Sequence, residues 1–516
     1  MSLAIAHARA QVGLLAPLVT IETHLTAGLP AFGMVGLAET AVRESKERVR
    51  SAILNAGFEF PHRRITINLA PADIPKEGTR FDLAIALSIL AASGQVAPAS
   101  LGEYEFAAEL ALTGELRPVR GLLPAALAAR NDNHALICAR EDCREATLCA
   151  GLVVFAPRNL REVCAHLDGS MPLLSASATP EEVPIGGPRA PDLADIQGQY
   201  TALRGIEIAA AGGHNLLMVG PPGTGKTMLA MRLPGLLPPL SSQAALEAAT
   251  IRSIANLPWI PELWCTPPFR SPHHTASAVA IIGGGANPRP GEVSLAHHGV
   301  LFFDELPEFD RRVLEVLREP LENFRVTISR AAKAAEFPAD FQFIGAMNPC
   351  PCGYAGDPSG RCYCSAERIT KYLSRISGPL LDRIDIQLEV PRENDWLRHT
   401  QAHAPESSAV VQSRVIAARK IQVERQGCLN SRLGPAQLAE IACLDGPSRS
   451  LLEQAFTRFN LSPRTYHRLL KLARTIADLA ALSRITHLEI AEALSLRRLE
   501  LRQNAGTGRR AGLYPG

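Results

Sequence analysis

The chain has 516 residues. That is more than one hydrophobic core holds, and at ~100–200 residues per domain it should contain about three domains. Hydrophobic residues at 47% and charged residues at 20% exclude general disorder, and a net charge of +2 excludes a whole-protein polyelectrolyte. The charge is uneven: residues 405–516 carry 17 Lys+Arg against 9 Asp+Glu and residues 1–404 carry 36 against 42, so a basic C-terminal module follows a mildly acidic body.

The opening residues, MSLAIAHARA, lack the charged start and sustained apolar stretch of a signal peptide. The longest apolar run, residues 83–92, is about half the ~18–20 residues needed to span a bilayer. A cytoplasmic protein without membrane contact is expected. Residues 18–24 alternate like a strand. Residues 38–56 have helical apolar spacing (Val42, Val49, Ile53) closed by Gly57. Residues 64–69 are β-rich, and 81–92 read as an apolar helix ending near Gly94. Further strands are expected at 105–112 and 135–138, with a helix at 122–129. The segment 1–167 therefore reads as an α+β domain. Residues 168–191 hold five prolines and no period, which is a linker. Strand and helix signals alternate again over 192–392, an α/β pattern. From 405 to 502 the period is helical, with runs at 448–459, 463–482 and 487–501. A Gly/Arg-rich tail, 503–516, closes the chain.

Residues 216–219, Leu-Leu-Met-Val, form an apolar strand that runs into Gly220, Pro221, Pro222, Gly223, Thr224, Gly225, Lys226 and Thr227, then into a helix. This is G-x-x-x-x-G-K-[ST] in its strand–loop–helix context. Backbone N–H groups of such a loop curl around phosphate oxygens at a helix N-terminus. Lys226 would contact the β- and γ-phosphates of ATP, and Thr227 would hold Mg²⁺. A second apolar strand, 300–303, ends in Asp304-Glu305. Asp304 would position Mg²⁺ and Glu305 would polarise the attacking water, which favours hydrolysis over transfer.

These elements, in this order, resemble the AAA+ ATPases. Several strings are similar to the magnesium-chelatase-like branch: Asp195-Ile-Gln-Gly-Gln199, Ala-Ala-Gly-Gly-His-Asn-Leu-Leu at 210–217, Phe269-Arg-Ser-Pro-His-His274, Met347-Asn-Pro-Cys-Pro-Cys352, and the run from Ser374 to Asp385. Within it, the chain resembles the ComM/YifB-type family over nearly its whole length. The resemblance implies a central AAA+ P-loop core and a C-terminal helical bundle. It also implies a homo-hexameric ATPase that drives branch migration or unwinding of DNA in homologous recombination and natural transformation. The DNA would be single-stranded or branched and read without sequence preference. Asn348 looks like the sensor after the Asp304-Glu305 strand. Arg383 looks like the finger delivered to a neighbouring subunit, Arg464 like a second sensor, and Arg375 like a weaker inter-subunit candidate. In this branch a hairpin precedes the sensor strand. Residues 325–341 fit it, and Arg330 and Lys333 on its turn would track DNA phosphates or form a solvated tip. Gly283-Gly-Gly285 is a second pore candidate.

Four of eleven cysteines cluster as Cys350-x-Cys352 and Cys362-x-Cys364, flanking a Gly/Pro loop. They read as a structural Zn²⁺ set or as free thiols. His273-His274 and His297-His298 read as packing or phosphate-side residues. Residues 75–84 and 112–119 resemble the Lon-type protease domain. Arg80 stands where those proteases carry serine, and Leu122-Leu123-Pro124 stands where their lysine follows, so no peptidase activity is expected. Arg43, Lys46, Arg48 and Arg50 on one helix would contact DNA or form a solvated face. Three functions compete. One is a DNA motor, another the ATPase subunit of a chelatase-like protein-remodelling complex, and the third an ATP-dependent protease or its regulator. The Lon-like segment speaks against the second and the missing dyad against the third.

Overall fold

The structure is a computed structural model that describes residues 3–36, 39–176, 191–285, 288–330, 333–392, 406–442, 444–459 and 461–497. The tail 503–516 and residues 177–190 of the expected linker lie outside the described residues. The chain divides into two compact units. One comprises Met1–Ile185, Ala245–Trp264 and Ser329–Phe337, and the other Gly186–Ala244, Cys265–Ile328 and Pro338–Gly516. Among the described residues no helix is long and apolar enough to cross a membrane.

The first unit is built on a seven-stranded sheet. Its order is Ala31–Val35, Arg64–Ala70, Leu18–Thr26, Leu3–Arg9, Tyr104–Ala107, Ala135–Cys138 and Val154–Phe155. Leu18–Thr26 pairs antiparallel with both neighbours, and the other pairings are parallel. Leu18–Thr26 and Arg64–Ala70 alternate buried and open positions, so Val19, Ile21, Ile65, Ile67 and Leu69 face one core. Helix Asp82–Ala92 is buried at every position, because the sheet strands cover one side and helix Thr40–Asn55 another.

Three details differ from the sequence reading. Strand Leu3–Arg9 was not foreseen, since its core face is Ala4, Ala6 and Ala8, and alanine is a poor strand signal. The strand expected at 105–112 is broken: Tyr104–Ala107 joins the sheet, and Glu109–Leu110 turns away to pair with Leu116–Arg117. Arg48 is tied to the interior rather than projecting freely with its basic neighbours. Its Nε lies 2.8 Å from Oδ2 of the buried Asp82. Burial lifts that carboxyl to about 6 while Arg48 opposes the rise.

The second unit holds a five-stranded sheet ordered Phe269–Arg270, Val300–Phe303, Gln342–Met347, Leu216–Val219 and Ile386–Glu389, parallel throughout. The three inner strands are buried at every residue, as expected where helices cover both faces. Helix Tyr200–Gly212 packs closely on this sheet. A Cβ on Gly205 would stand 2.3 Å from Leu388 Cδ1, so a larger residue would require that leucine to move. Helices Ser408–Gln426, Pro463–Leu479 and His487–Ser495 complete the core. The run expected to continue to 482 stops at Leu479, and Ala481 turns left-handed at φ 53.

Polar groups add to the apolar packing at the start of the sheet. The buried His214 meets Thr475 Oγ1 through Nε2 (2.8 Å) and Asp385 Oδ2 through Nδ1 (3.3 Å). Asn215 donates to the carbonyl of Arg383 and accepts from the amide of Phe343, both at 2.9 Å. Asp385 is partly buried, but His214 and then Arg468 outweigh the desolvation and hold its carboxyl down at about 2.

Candidate nucleotide site and cysteine cluster

In an open parallel sheet, ligands bind beyond the carboxyl ends of the strands, where the strand order reverses. Leu216–Val219 occupies that place: Gln342–Met347 lies on one side and Ile386–Glu389 on the other. The loop 220–227 leaves from its carboxyl end. Gly220 is pressed so close to the next strand that a Cβ there would lie 2.1 Å from the Val390 carbonyl. Gly223 and Gly225 adopt φ of 78° and 84°, the left-handed turns that let successive amides face one ligand. Thr224 Oγ1 fastens the loop by donating to the Pro221 carbonyl at 3.0 Å.

Lys226 is buried. Its ammonium donates to the carbonyls of Gly220 (2.7 Å) and Pro221 (2.8 Å) and to Asn348 Oδ1 (3.3 Å). Burial lowers its pKa, while Asp304 and then Glu305 pull the other way. Thr227 Oγ1 donates to Asp304 Oδ2 at 2.6 Å, so two hard oxygen donors meet where a magnesium ion would need them. Glu305 holds a left-handed backbone at φ 51, a costly conformation for a non-glycine residue and one that collects at functional sites. Its carboxylate is exposed, with His274 Nδ1 3.7 Å away. Lys226, Thr227, Asp304, Glu305 and Asn348 therefore converge. His274 stands beside Glu305, and the other histidine pair packs at the strand start, where His297 Nδ1 accepts from the amide of Asp340.

Arg383 and Arg464 are held at the other end of the sheet. The register aligns Leu216 with Ile386 and Val219 with Glu389. Arg383 thus precedes the strand start, whereas the loop follows the strand end. Four strand residues at ~3.3 Å each separate the two edges by about 13 Å. There Arg383 pairs with Glu322 and donates to the Pro379 carbonyl. Arg464, mostly exposed, lies 3.5 Å from Asp382, the residue before Arg383. Arg375 is engaged within the chain by Glu308 at 2.9 Å and by the Pro307 carbonyl.

The strands Arg325–Arg330 and Lys333–Pro338 form a two-stranded ribbon. The side chains of Arg330 and Lys333, with residues 331–332, lie outside the described residues. In the other proposed pore loop, Gly283–Gly284 pairs with Arg289–Pro290, and a Cβ on Gly283 would stand 2.2 Å from the Arg289 carbonyl. Close backbone pairing accounts for that glycine.

The four clustered cysteines meet. Cys350 Sγ lies 3.3 Å from Cys352 Sγ and 3.8 Å from Cys362 Sγ, and Cys352 lies 3.7 Å from Cys362. All four sulfurs fall within 4.8 Å of one another. A tetrahedron with metal–sulfur bonds of ~2.3 Å has edges of about 3.8 Å, so the set fits a zinc-class cation. Desolvation opposes ionisation of Cys352, but backbone N–H donation from Tyr354 and the neighbouring thiols outweigh it and bring that thiol to about 6.

In the first unit Arg80 occupies the position that the sequence reading matches to a protease serine. Arg80 is buried and donates to Gln11 Oε1 at 2.9 Å and to the Arg120 carbonyl.

Several contributors to these sites have no motif of their own. Glu322 and Asp382 hold the two arginines. Gly353 abuts Pro222 of the phosphate loop.

Family comparisons match three segments of the chain. Magnesium chelatase, subunit ChlI, matches residues 192–396; subunit ChlI of Mg-chelatase matches 21–142; and the ChlI C-terminal family matches 405–497. The chain is 48% identical over 504 residues to the protein YifB of Salmonella typhimurium, covering 97% of this chain and 98% of that protein. It is also 48% identical over 499 residues to the competence protein ComM of Haemophilus influenzae, covering 96% and 98%. A shorter likeness, 28% over 186 residues, joins it to Lon protease 2 of Bacillus subtilis, covering 30% and 32%.

Proposed function

The chain belongs to the ComM/YifB-type family of magnesium-chelatase-like proteins, and from that premise we propose that it is an ATP-driven DNA motor working in the cytoplasm as a ring of six identical subunits. The observation that carries this reading is the separation of its parts. A phosphate loop, an acid pair and a polar sensor gather at one edge of the sheet, while Arg383 and Arg464 sit at the opposite edge. Only a neighbouring subunit brings such arginines to the nucleotide, so hydrolysis depends on assembly.

Backbone N–H groups of residues 223–227 and the Lys226 ammonium bind the β- and γ-phosphates. When bound, Mg²⁺ neutralises phosphate charge, and Thr227 Oγ1 and Asp304 Oδ2 are the oxygen pair that would hold it. Glu305 accepts a proton from the attacking water, and Asn348 orients that water. The neighbouring subunit's Arg383 and Arg464 stabilise charge in the transition state. Glu305→Gln is expected to keep ATP binding and to lower turnover by about 10²–10⁴-fold, since it removes only the general base. Equilibrium binding and steady-state phosphate release on the same sample check this.

The motor's work falls on DNA through its phosphates, with Arg330 and Lys333 at the ribbon turn as contacts. This produces branch migration or unwinding in recombination, including natural transformation. The chain packs as two compact units rather than three, with residues 245–264 and 329–337 grouped with the N-terminal segment; the functional division proposed is 1–167, 192–392 and 405–502, with a linker at 168–191. The N-terminal Lon-like segment is a non-peptidase, which Arg80 at the serine-matched position supports. The four cysteines hold structural zinc. The magnesium-chelatase descriptions of the matched families favour a second reading, a motor that remodels a partner protein. ATP hydrolysis measured with and without forked or single-stranded DNA separates them. The DNA motor is stimulated, and a rate indifferent to DNA favours the second reading.

A further inference from the structure

We propose that the four-cysteine centre is a positioning clamp for the nucleotide site: by closing the loop 350–364 it holds Gly353 against Pro222 of the phosphate loop and keeps the sensor Asn348 in place. The inference rests on the zinc reading of Cys350, Cys352, Cys362 and Cys364, and it assigns that metal a consequence for ATP binding.

The chain connects the two sites within five residues. Asn348 directly follows the strand Gln342–Met347, Cys350 comes two residues later, and a turn closed by Gly353 N–H donating to the Cys350 carbonyl at 2.9 Å brings the chain back. Gly353 stands there with φ +87, and a Cβ would lie 2.7 Å from Pro222 Cδ and 3.8 Å from Asn348 Cγ. Pro222 is the third residue of the phosphate loop. The Cys350–Gly353 turn is therefore wedged between that loop and the sensor.

Besides the sulfurs, the loop is held by short-range turn hydrogen bonds at Asp357 and Gly360 and by Arg361 over the Tyr354 ring, with little apolar core. Between Cys350 and Cys364 the buried apolar residues are Cys350 and Ala355, and Tyr363 is largely exposed. Gly356 and Gly360 both take positive φ, so this stretch has few restraints beyond these. The amide of Ala355 donates to Cys350 Sγ at 3.3 Å, the kind of contact that supports a ligating thiolate. Three of the four cysteines are half-open to solvent, so a metal can enter and leave. On binding, each thiol gives its proton to solvent, and the ordering of the loop is coupled to the metal. If loss of the metal leaves the wedged loop populated about a tenth of the time, apparent nucleotide affinity falls about tenfold.

The test uses the full-length protein prepared with zinc. Zinc content, ATP-analogue affinity, ATP KM and thermal melting are measured on wild type, on Cys362→Ser/Cys364→Ser, and on wild type stripped of metal and then resupplied with zinc. About one zinc per chain is expected, with nucleotide affinity weakened about tenfold on its loss and restored on its return. Gly353→Ala is the companion variant: it keeps all four thiols and should keep the zinc, yet should weaken nucleotide binding by pressing on Pro222. Zinc that binds but whose removal lowers the melting temperature without changing ATP affinity or KM overturns the clamp and leaves the zinc reading standing. Protein that takes up no zinc overturns both.

Discussion

Lys226→Ala is expected to weaken nucleotide binding by about 3 kcal/mol, about a hundredfold, and to abolish turnover. The ammonium is buried and already solvated by three protein oxygens, those of Gly220, Pro221 and Asn348. A cation held in this way meets phosphate as a desolvated charge, where charge-assisted hydrogen bonds are strongest. Its removal also leaves two loop carbonyls and the sensor amide without their donor, so the loop loses shape as well as charge. Titration with a fluorescent ATP analogue and phosphate release measure the two effects. Binding within a few-fold of wild type would remove Lys226 from the phosphate site.

Arg383→Ala is expected to behave differently. Nucleotide affinity should stay close to wild type, because the arginine lies at the far edge of its own sheet. Turnover should fall by about 10³-fold or more, the usual cost of losing an arginine supplied in trans. In the isolated chain the guanidinium is neutralised by Glu322, and in the proposed ring phosphate would take that partner's place. Hydrolysis at the wild-type rate in this variant would move the finger to another arginine, Arg464 first.

The legible and illegible parts of this chain divide by sequence distance. The phosphate loop is eight consecutive residues with a fixed backbone requirement, so it is readable in place. Asp304-Glu305 is readable as the end of an apolar strand. Asn348 has no local signal, since a polar residue after an apolar strand is common, and only likeness to a family points to it. The polar ties under the sheet, His214–Thr475 and Asn215–Arg383, join residues more than 160 apart, and no periodicity contains them. The position of Arg383 opposite the loop depends on strand register, which sequence does not state. The N-terminal strand was hidden for a simpler reason: its buried face is alanine, whose intrinsic preference is for helix. Arg48 looked like its basic neighbours, yet it turns to a buried carboxylate 34 residues away.

Mixing the two inactive variants tests the shared site most directly. Lys226→Ala subunits retain a sound Arg383, and Arg383→Ala subunits retain a sound phosphate loop. In a head-to-tail ring assembled at random from equal parts, about a quarter of the interfaces unite one sound loop with one sound arginine. ATP hydrolysis should therefore reappear on mixing, with DNA present, although neither variant hydrolyses alone. A mixture as inactive as its components, under conditions where wild-type rings form, would contradict the claim that one subunit's nucleotide is cleaved with its neighbour's arginine.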